Sequence, residues 1–393
     1  MRPVTSFTRP RLLRRLTINT LLVLVSAIAA FALAEGLVRL VSPQQLIIMR
    51  PDLWQPADSV GWLRRPDISV KINTGERTVS VLTDREGFRV GQTGRREAAT
   101  QILLLGDSFM EALQVDHEQH VAHLLERELE GRLRRPVAIR NAGVSGWDPN
   151  HYYLRTRQLL ERDTFALVIV AIFAGNDAVT QRVSTVPARQ PMRRPRFRVP
   201  RALSKLEIVD ALFAPVNDQL EEHSQLFILL KNRLSVVRMR LGLTAQYMPA
   251  EFLRSEGASS RWRVTAELSR DLSALAARHG TPTLFVLLPE SFQVYQSVFQ
   301  DFVRGFGIDS AALDLDQPNR RLMEEFKAVR LNVVDALPAF RSAAANGPRL
   351  FGSVDTHFAP AAHALLTKFL VPHAESLLVL PRRSAQLKSY GPR

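Results

Sequence analysis

Five short runs of mostly apolar residues, separated by longer amphipathic stretches, limit this chain more than any other feature. They lie at 102–105, 137–140, Leu167–Phe173, Thr283–Leu288 and 331–334. Helical spacing of apolar residues fills the intervals, over 109–134, 149–162, 262–279, 290–305 and 317–329, with a last helix over 360–379. A strand without polar alternation must be buried on both faces, and strands that alternate with helices pair in parallel. The pattern therefore predicts an α/β protein with a parallel sheet covered by helices on both sides.

Two segments depart from this alternation. Residues 41–98 predict a juxtamembrane β-rich segment, with strands at 70–73 and 79–83 around Gly75. Residues 180–260 read as an insertion after the third core strand. It opens with a Pro/Arg stretch, 189–205, holding seven basic residues and no acid. That stretch is either a solvated loop or a site for anionic glycan or lipid headgroups. A helix over 217–240 follows, carrying Leu220, Leu226, Phe227, Leu229, Leu230 and Leu234. It fits a lid, a helix lying on a bilayer, or one packed on the core. Residues 381–393 form a basic tail expected to be disordered.

The N-terminus carries a membrane signal. Arg2, Arg9, Arg11, Arg14 and Arg15 precede Thr17, and 17–34 contain no charge. Eighteen helical residues span about 27 Å, close to the bilayer core, and Leu37, Val38 and Leu40 extend the run. The organisation expected is a cytoplasmic basic segment over 1–16 and a transmembrane signal anchor over 17–40. The body then lies outside a bacterial inner membrane, because clustered arginine stays cytoplasmic. Ala32-Leu33-Ala34 also fits a small-x-small cleavage site, which would release the body to the periplasm.

Composition excludes several chemistries. There is no cysteine among 393 residues, so disulfides, thiolate metal sites and a cysteine nucleophile are ruled out. The net charge is +14, but only six of the 52 basic residues are lysine. That bias fits an arginine-rich proteome as well as a polyanionic partner, and export argues against nucleic acid. No Gly-x-Gly-x-x-Gly or Walker loop supports nucleotide binding, and no Gly-x-Ser-x-Gly elbow supports the α/β-hydrolase fold.

Open parallel sheets bind ligands beyond the carboxyl ends of their strands, and four motifs fall there. Ser108 follows the first core strand in Gly106-Asp107-Ser108, at a helix start where a nucleophile gains nearby N–H donors. Gly146 closes Asn141-Ala-Gly-Val-Ser-Gly146 after the second strand. Asn176 follows the third in Gly175-Asn176-Asp177, and its amide is a second oxyanion donor. Asp355-Thr356-His357 precedes the last helix. A histidine activates a weak serine nucleophile, and a carboxylate fixes its tautomer.

In this order the four blocks resemble the SGNH/GDSL hydrolase superfamily. The resemblance spans about 60–380 and implies a flavodoxin-like three-layer α/β/α sandwich over 99–380. It implies Ser108 as nucleophile, His357 as base and Asp355 as its orienter. Ser108, Gly146 and Asn176 become the oxyanion hole, with no metal or organic cofactor. Gly61-Trp62, Thr83, Gly87-Phe88-Arg89 and the N-terminal anchor are similar to a membrane-anchored bacterial branch overlapping alginate and peptidoglycan O-acetylation proteins. The two-residue Asp355–His357 spacing fits that branch, where tryptophan often stands in place of Phe358. The expected activity is a serine esterase or O-acyltransferase acting on an ester-bearing substrate, an acylated extracytoplasmic glycan. Alternatives are a lipid or small-ester hydrolase, and a non-catalytic glycan-binding or assembly component.

Two further histidine groups compete. His117, His120 and His123 repeat every three residues, as on one face of a helix, beside Asp116 and Glu118. A solvated or partly packed helix accounts for them better than a metal site. His363 lies six residues beyond His357 with no carboxylate just before it, which makes it the weaker base.

Overall fold

The computed structural model describes residues 9–42, 52–74, 76–94, 98–177, 183, 216, 219–220, 223–240, 253–254, 259–307, 309–353 and 356–379. Residues 1–8, the 189–205 stretch, Asp355 and the 381–393 tail lie outside them.

Strands β1 (Trp54–Ala57) and β2 (Gly61–Arg64) form an antiparallel hairpin. Strands β3 (Ser69–Asn73), β4 (Thr78–Thr83) and β5 (Arg89–Val90) form an antiparallel sheet. The central sheet contains β6 (Thr100–Leu105), β7 (Val137–Asn141), β8 (Leu167–Phe173), β9 (Thr283–Leu288) and β10 (Val333–Asp335), all parallel. Its order is β7-β6-β8-β9-β10. Counted from β6, that is 2-1-3-4-5, the flavodoxin-like arrangement, whose switch point lies between the first and third strands.

The helices are α1 (Arg9–Val41), α2 (Ser108–Glu111), α3 (Val121–Leu133), α4 (Pro149–Leu160), α5 (Gln225–Arg240), α6 (Ser259–Arg278), α7 (Ser291–Val294), α8 (Gln296–Phe306), α9 (Gln317–Ala328), α10 (Leu337–Ala344) and α11 (Pro360–Val379). Period-two geometry divides each central strand between two cores. Leu103, Leu105, Val168, Val170, Phe285 and Leu287 pack with α4, α6 and α9. Ile102, Leu104, Ile169, Ala171, Leu284 and Val286 pack with α3, α10 and α11. The result is a three-layer α/β/α sandwich. The N-terminal strands share the first core through Trp54, Trp62, Ile72, Val79, Val81 and Phe88.

The single helix expected over 109–134 is two. Helix α2 ends at Ala112, which is left-handed at φ 49°. A 3-10 turn at His117–Gln119 follows, and α3 starts after His120. Apolar residues resume at helical spacing on both sides of the break, at Leu113, Val115, Val121 and Leu125, so the overall pattern still reads as helix. The break is stabilised from elsewhere in the chain: the Arg89 guanidinium donates to the carbonyls of Glu111, Ala112 and Val115. The helix expected over 290–305 is likewise divided, at the extended residue Tyr295. Hairpin β1–β2 and helix α10 are additional to the elements expected.

The apolar N-terminal run is one helix, and Thr17–Val41 is long and apolar enough to cross a membrane. Its apolar side chains are largely exposed, from Leu21 and Leu22 to Leu40 and Val41.

Candidate active site

Gly106 follows β6 at a point where a side chain has no room. A Cβ there would collide with Met110 and come within 3.3 Å of the Ala171 Cβ. The chain can therefore turn directly from strand to helix and present Ser108 at the carboxyl edge of the sheet. Asp107 caps α2: its Oδ1 accepts the Phe109 N–H at 2.9 Å. With only four residues, α2 contributes far less dipole than the long helix expected from the sequence.

His357 comes from the opposite end of the chain. Phe351 and Phe358 bridge antiparallel, with the Gly352 N–H donating to the His357 carbonyl at 3.0 Å and the Ala359 N–H to Leu350 at 2.9 Å. Phe358 is buried against Phe109, Phe340 and Phe351. The His357 ring lies 4.8 Å from that of Phe109. Held this way, His357 Nε2 sits 2.8 Å from Ser108 Oγ, within the distance a general base needs to take the hydroxyl proton.

Asn176 follows β8 and joins the same constellation through Asp107: its Nδ2 donates to Asp107 Oδ2 at 3.3 Å. Gly146 follows β7, is exposed, and has φ 77°, a conformation that favours glycine. Its loop is tied to α2, the helix that starts at Ser108, by Glu111, a fully buried carboxylate. Glu111 accepts the Ser145 N–H at 2.7 Å and the Trp54 indole N–H at 3.0 Å. Arg64 is also buried and holds the carbonyls of Gly87, Asn141 and Gly143 at 2.9, 2.5 and 2.9 Å. The N-terminal β-segment thus fixes both loops that carry Ser108 and Gly146.

Two carboxyls bear electrostatically on His357. Burial pushes Asp107 up to about 6, against the opposing pull of the Phe109 N–H, His357 and Asn176. Glu290, at the end of β9, is also raised by burial, with its Ser291 hydrogen bonds and His357 acting the other way. Gly175 leaves space for it, since a Cβ there would lie 2.9 Å from Glu290 Oε2. Asp177 points into the protein: its carboxylate takes the Phe173 N–H and the Tyr152 hydroxyl, and burial raises its pKa.

His117, His120 and His123 do not share one helix. His120 is buried, with Nδ1 accepting the Ala122 N–H and Nε2 beside the Met110 carbonyl and Asn141. Among the described residues no group of three or more acidic or histidine side chains could hold a metal ion. His363 is fully buried, 5.2 Å from the His120 ring.

Glu111, Arg64 and Glu290 are the residues sequence reasoning missed. The available signal was a charge in an otherwise apolar setting, as in Phe109-Met110-Glu111-Ala112.

No protein-family model matches the sequence, and no curated protein matches it. Solved structures of similar chain path include LAE5, an alpha/beta hydrolase enzyme from the metagenome of Lake Arreo, Spain, at 14% identity and TM-score 0.39, covering 72% of this chain and 98% of that one. A member of the lipolytic protein G-D-S-L family from Veillonella parvula aligns at 10% identity and TM-score 0.37, covering 70% and 97%. A catalytic mutant of Axe2, an acetylxylan esterase from Geobacillus stearothermophilus, aligns at 11% and 0.36, covering 70% and 94%. The strand order and the Ser108–His357 contact, rather than these similarities, carry the reading that follows.

Proposed function

We propose that the protein is a membrane-tethered serine hydrolase of the SGNH type, acting on ester bonds through Ser108. The 2.8 Å approach of His357 Nε2 to Ser108 Oγ, at the carboxyl edge and switch point of the sheet, carries this reading. His357 takes the hydroxyl proton as Ser108 Oγ bonds to the ester carbonyl carbon. The Ser108 and Gly146 N–H groups and the Asn176 amide hold the oxyanion. Collapse breaks the ester C–O bond, and His357 gives its proton to the departing alcohol. Water or a sugar hydroxyl then loses a proton to His357 and attacks the acyl carbon; the bond from that carbon to Ser108 Oγ breaks, and His357 returns the proton to Oγ as the acyl product leaves. Asp355 is assigned as the orienter of His357. Asp107 and Glu290, to the extent that each is ionised, favour the imidazolium that forms at each step.

The substrate class is O-acylated, chiefly O-acetylated, glycan outside the inner membrane. The two-residue Asp355–His357 spacing and the apolar helix α1 support this assignment. A lipid or small-ester hydrolase is the second reading, favoured by the apolar side chains that α5 exposes. Full-length protein and its Ser108→Ala variant, in membranes, separate these readings when offered an O-acetylated polysaccharide and a long-chain p-nitrophenyl ester. Ser108-dependent acetate release supports the glycan. Turnover of the long-chain ester alone supports the lipid reading.

A further inference from the structure

Helix α1 is not simply a leader attached to the body. Its Glu35 carboxylate reaches the start of α5 and takes up donors that a helix N-terminus leaves unpaired. Oε2 accepts the Ser224 hydroxyl at 2.8 Å and the Leu226 N–H at 2.9 Å, and Oε1 accepts the Gln225 N–H at 3.0 Å. Arg39, one turn further along α1, pairs with Glu35 at 2.7 Å and donates to the His223 carbonyl at 2.7 Å. These contacts join α5 to the end of the apolar span farthest from the Arg14–Arg15 cluster.

Beyond this junction α5 has two distinct sides. Gln225 and Ile228 are buried, and the helix packs against α8 as well as α1. On the opposite side Leu230, Leu234 and Val237 are 56%, 57% and 49% exposed, with Arg233 beside them. A helix facing water normally reverses this arrangement, with polar residues outward. The sixteen residues of α5 include Lys231, Arg233, Arg238 and Arg240 and no acid. Outward leucine and valine, a basic composition and attachment to the end of an apolar span are the properties of a helix that lies in a membrane interface.

We propose that α5 lies in the outer surface of the bilayer that α1 crosses. Leu230, Leu234 and Val237 are seated among the lipids, and the exposed Arg233 beside them faces anionic headgroups. This rests on the reading of α1 as a retained anchor. The Glu35 cap then makes α1 and α5 one membrane-bound unit, and the α5–α8 contact holds the catalytic body at the surface. The site is thereby presented to esters carried at the membrane surface.

The chain has no cysteine, so single introduced thiols can be labelled in the full-length protein. Leu230→Cys, Leu234→Cys and Val237→Cys, each carrying an environment-sensitive fluorophore, are compared in anionic nanodiscs with Leu24→Cys in α1 and Arg157→Cys on α4. The expected result is a blue shift and quenching by brominated lipid at Leu24 and at all three α5 positions, with neither at Arg157. A Glu35→Ala change made in the Leu234→Cys chain is expected to reduce the quenching there while leaving a label at Leu24 unaffected. Quenching at Leu24 with water-exposed labels on α5 would overturn this inference and leave the anchor intact. Lipid-independent proximity between α5 labels of two copies would overturn it in favour of a dimer face. Loss of the Leu24 signal would remove the anchor reading and this inference with it.

Discussion

Glu111 Oε2 accepts the Ser145 backbone N–H at 2.7 Å, so the last residue of α2, the helix that starts at Ser108, holds the loop that ends in Gly146. Its other oxygen holds the Trp54 indole. Glutamine offers only one acceptor oxygen, so Glu111→Gln must turn an amide N–H toward one of two buried donors. One unpaired buried donor costs about 1–3 kcal/mol. If that cost falls on oxyanion placement, kcat drops by about 10–100-fold while KM changes little. Steady-state kinetics beside a melting curve separates this from unfolding, which would lower the active fraction without altering the kcat of the folded protein.

Arg64 should tolerate lysine poorly, although the charge is kept. Three carbonyls from two segments converge on its planar fork, and an ammonium cannot reproduce that geometry. Arg64→Lys is expected to lower both the melting temperature and kcat, measured by calorimetry and ester turnover. Unchanged values in both would remove Arg64 from the positioning of the 141–146 loop.

Asn176→Ala tests the oxyanion assignment. Losing one such donor typically costs about 10²–10³ in kcat. The same change removes the 3.3 Å bond to Asp107, whose carboxylate stays capped by Phe109 N–H. The variant should therefore fold, with a circular dichroism spectrum matching the parent, and turn over slowly.

Buried groups pull the pH dependence of stability in opposite directions. Burial, with Arg89 adding to it, depresses His363 to about 3, and both its ring nitrogens are buried with no partner among the described residues. The unfolded chain binds that proton more tightly between pH 6.5 and 3, so His363 costs stability as pH falls through this window. His363→Leu should raise the melting temperature at pH 7 and flatten the acid loss. Asp107 has the reverse sign. Its folded value of about 6 lies above the ordinary 3.8, so the native state binds the proton more tightly and stability falls as pH rises from 4 to 6. Asp107→Asn removes that fall. Melting temperatures of both variants and the parent at pH 4, 5, 6 and 7 check the two signs.

The inner strands were legible because burial on both faces removes polar alternation, and β8 and β9 follow the apolar runs Leu167–Phe173 and Thr283–Leu288 to the residue; the half-buried edge strand β10 starts two residues later than its apolar run. Ser108, Gly146 and Asn176 were legible as short polar motifs at the ends of such runs. The break at Ala112 was not, because Arg89 stabilises it from 23 positions away. Hairpin β1–β2 was also hidden, since Trp54 and Trp62 pack into a core built by distant residues. Glu111 and Glu35 each act as a buried or half-buried carboxylate on donors far along the chain. Pairings of that kind appear only once the chain is folded.

The proposed reaction depends on His357 making Ser108 a nucleophile. Its most direct test treats full-length protein in membranes with a fluorophosphonate and maps the adduct by peptide mass spectrometry, alongside Ser108→Ala and His357→Ala. A phosphonyl adduct is expected on Ser108 in the parent, none in Ser108→Ala, and much slower labelling in His357→Ala. No adduct on Ser108 in folded parent protein, or labelling as fast without His357 as with it, would contradict that dependence.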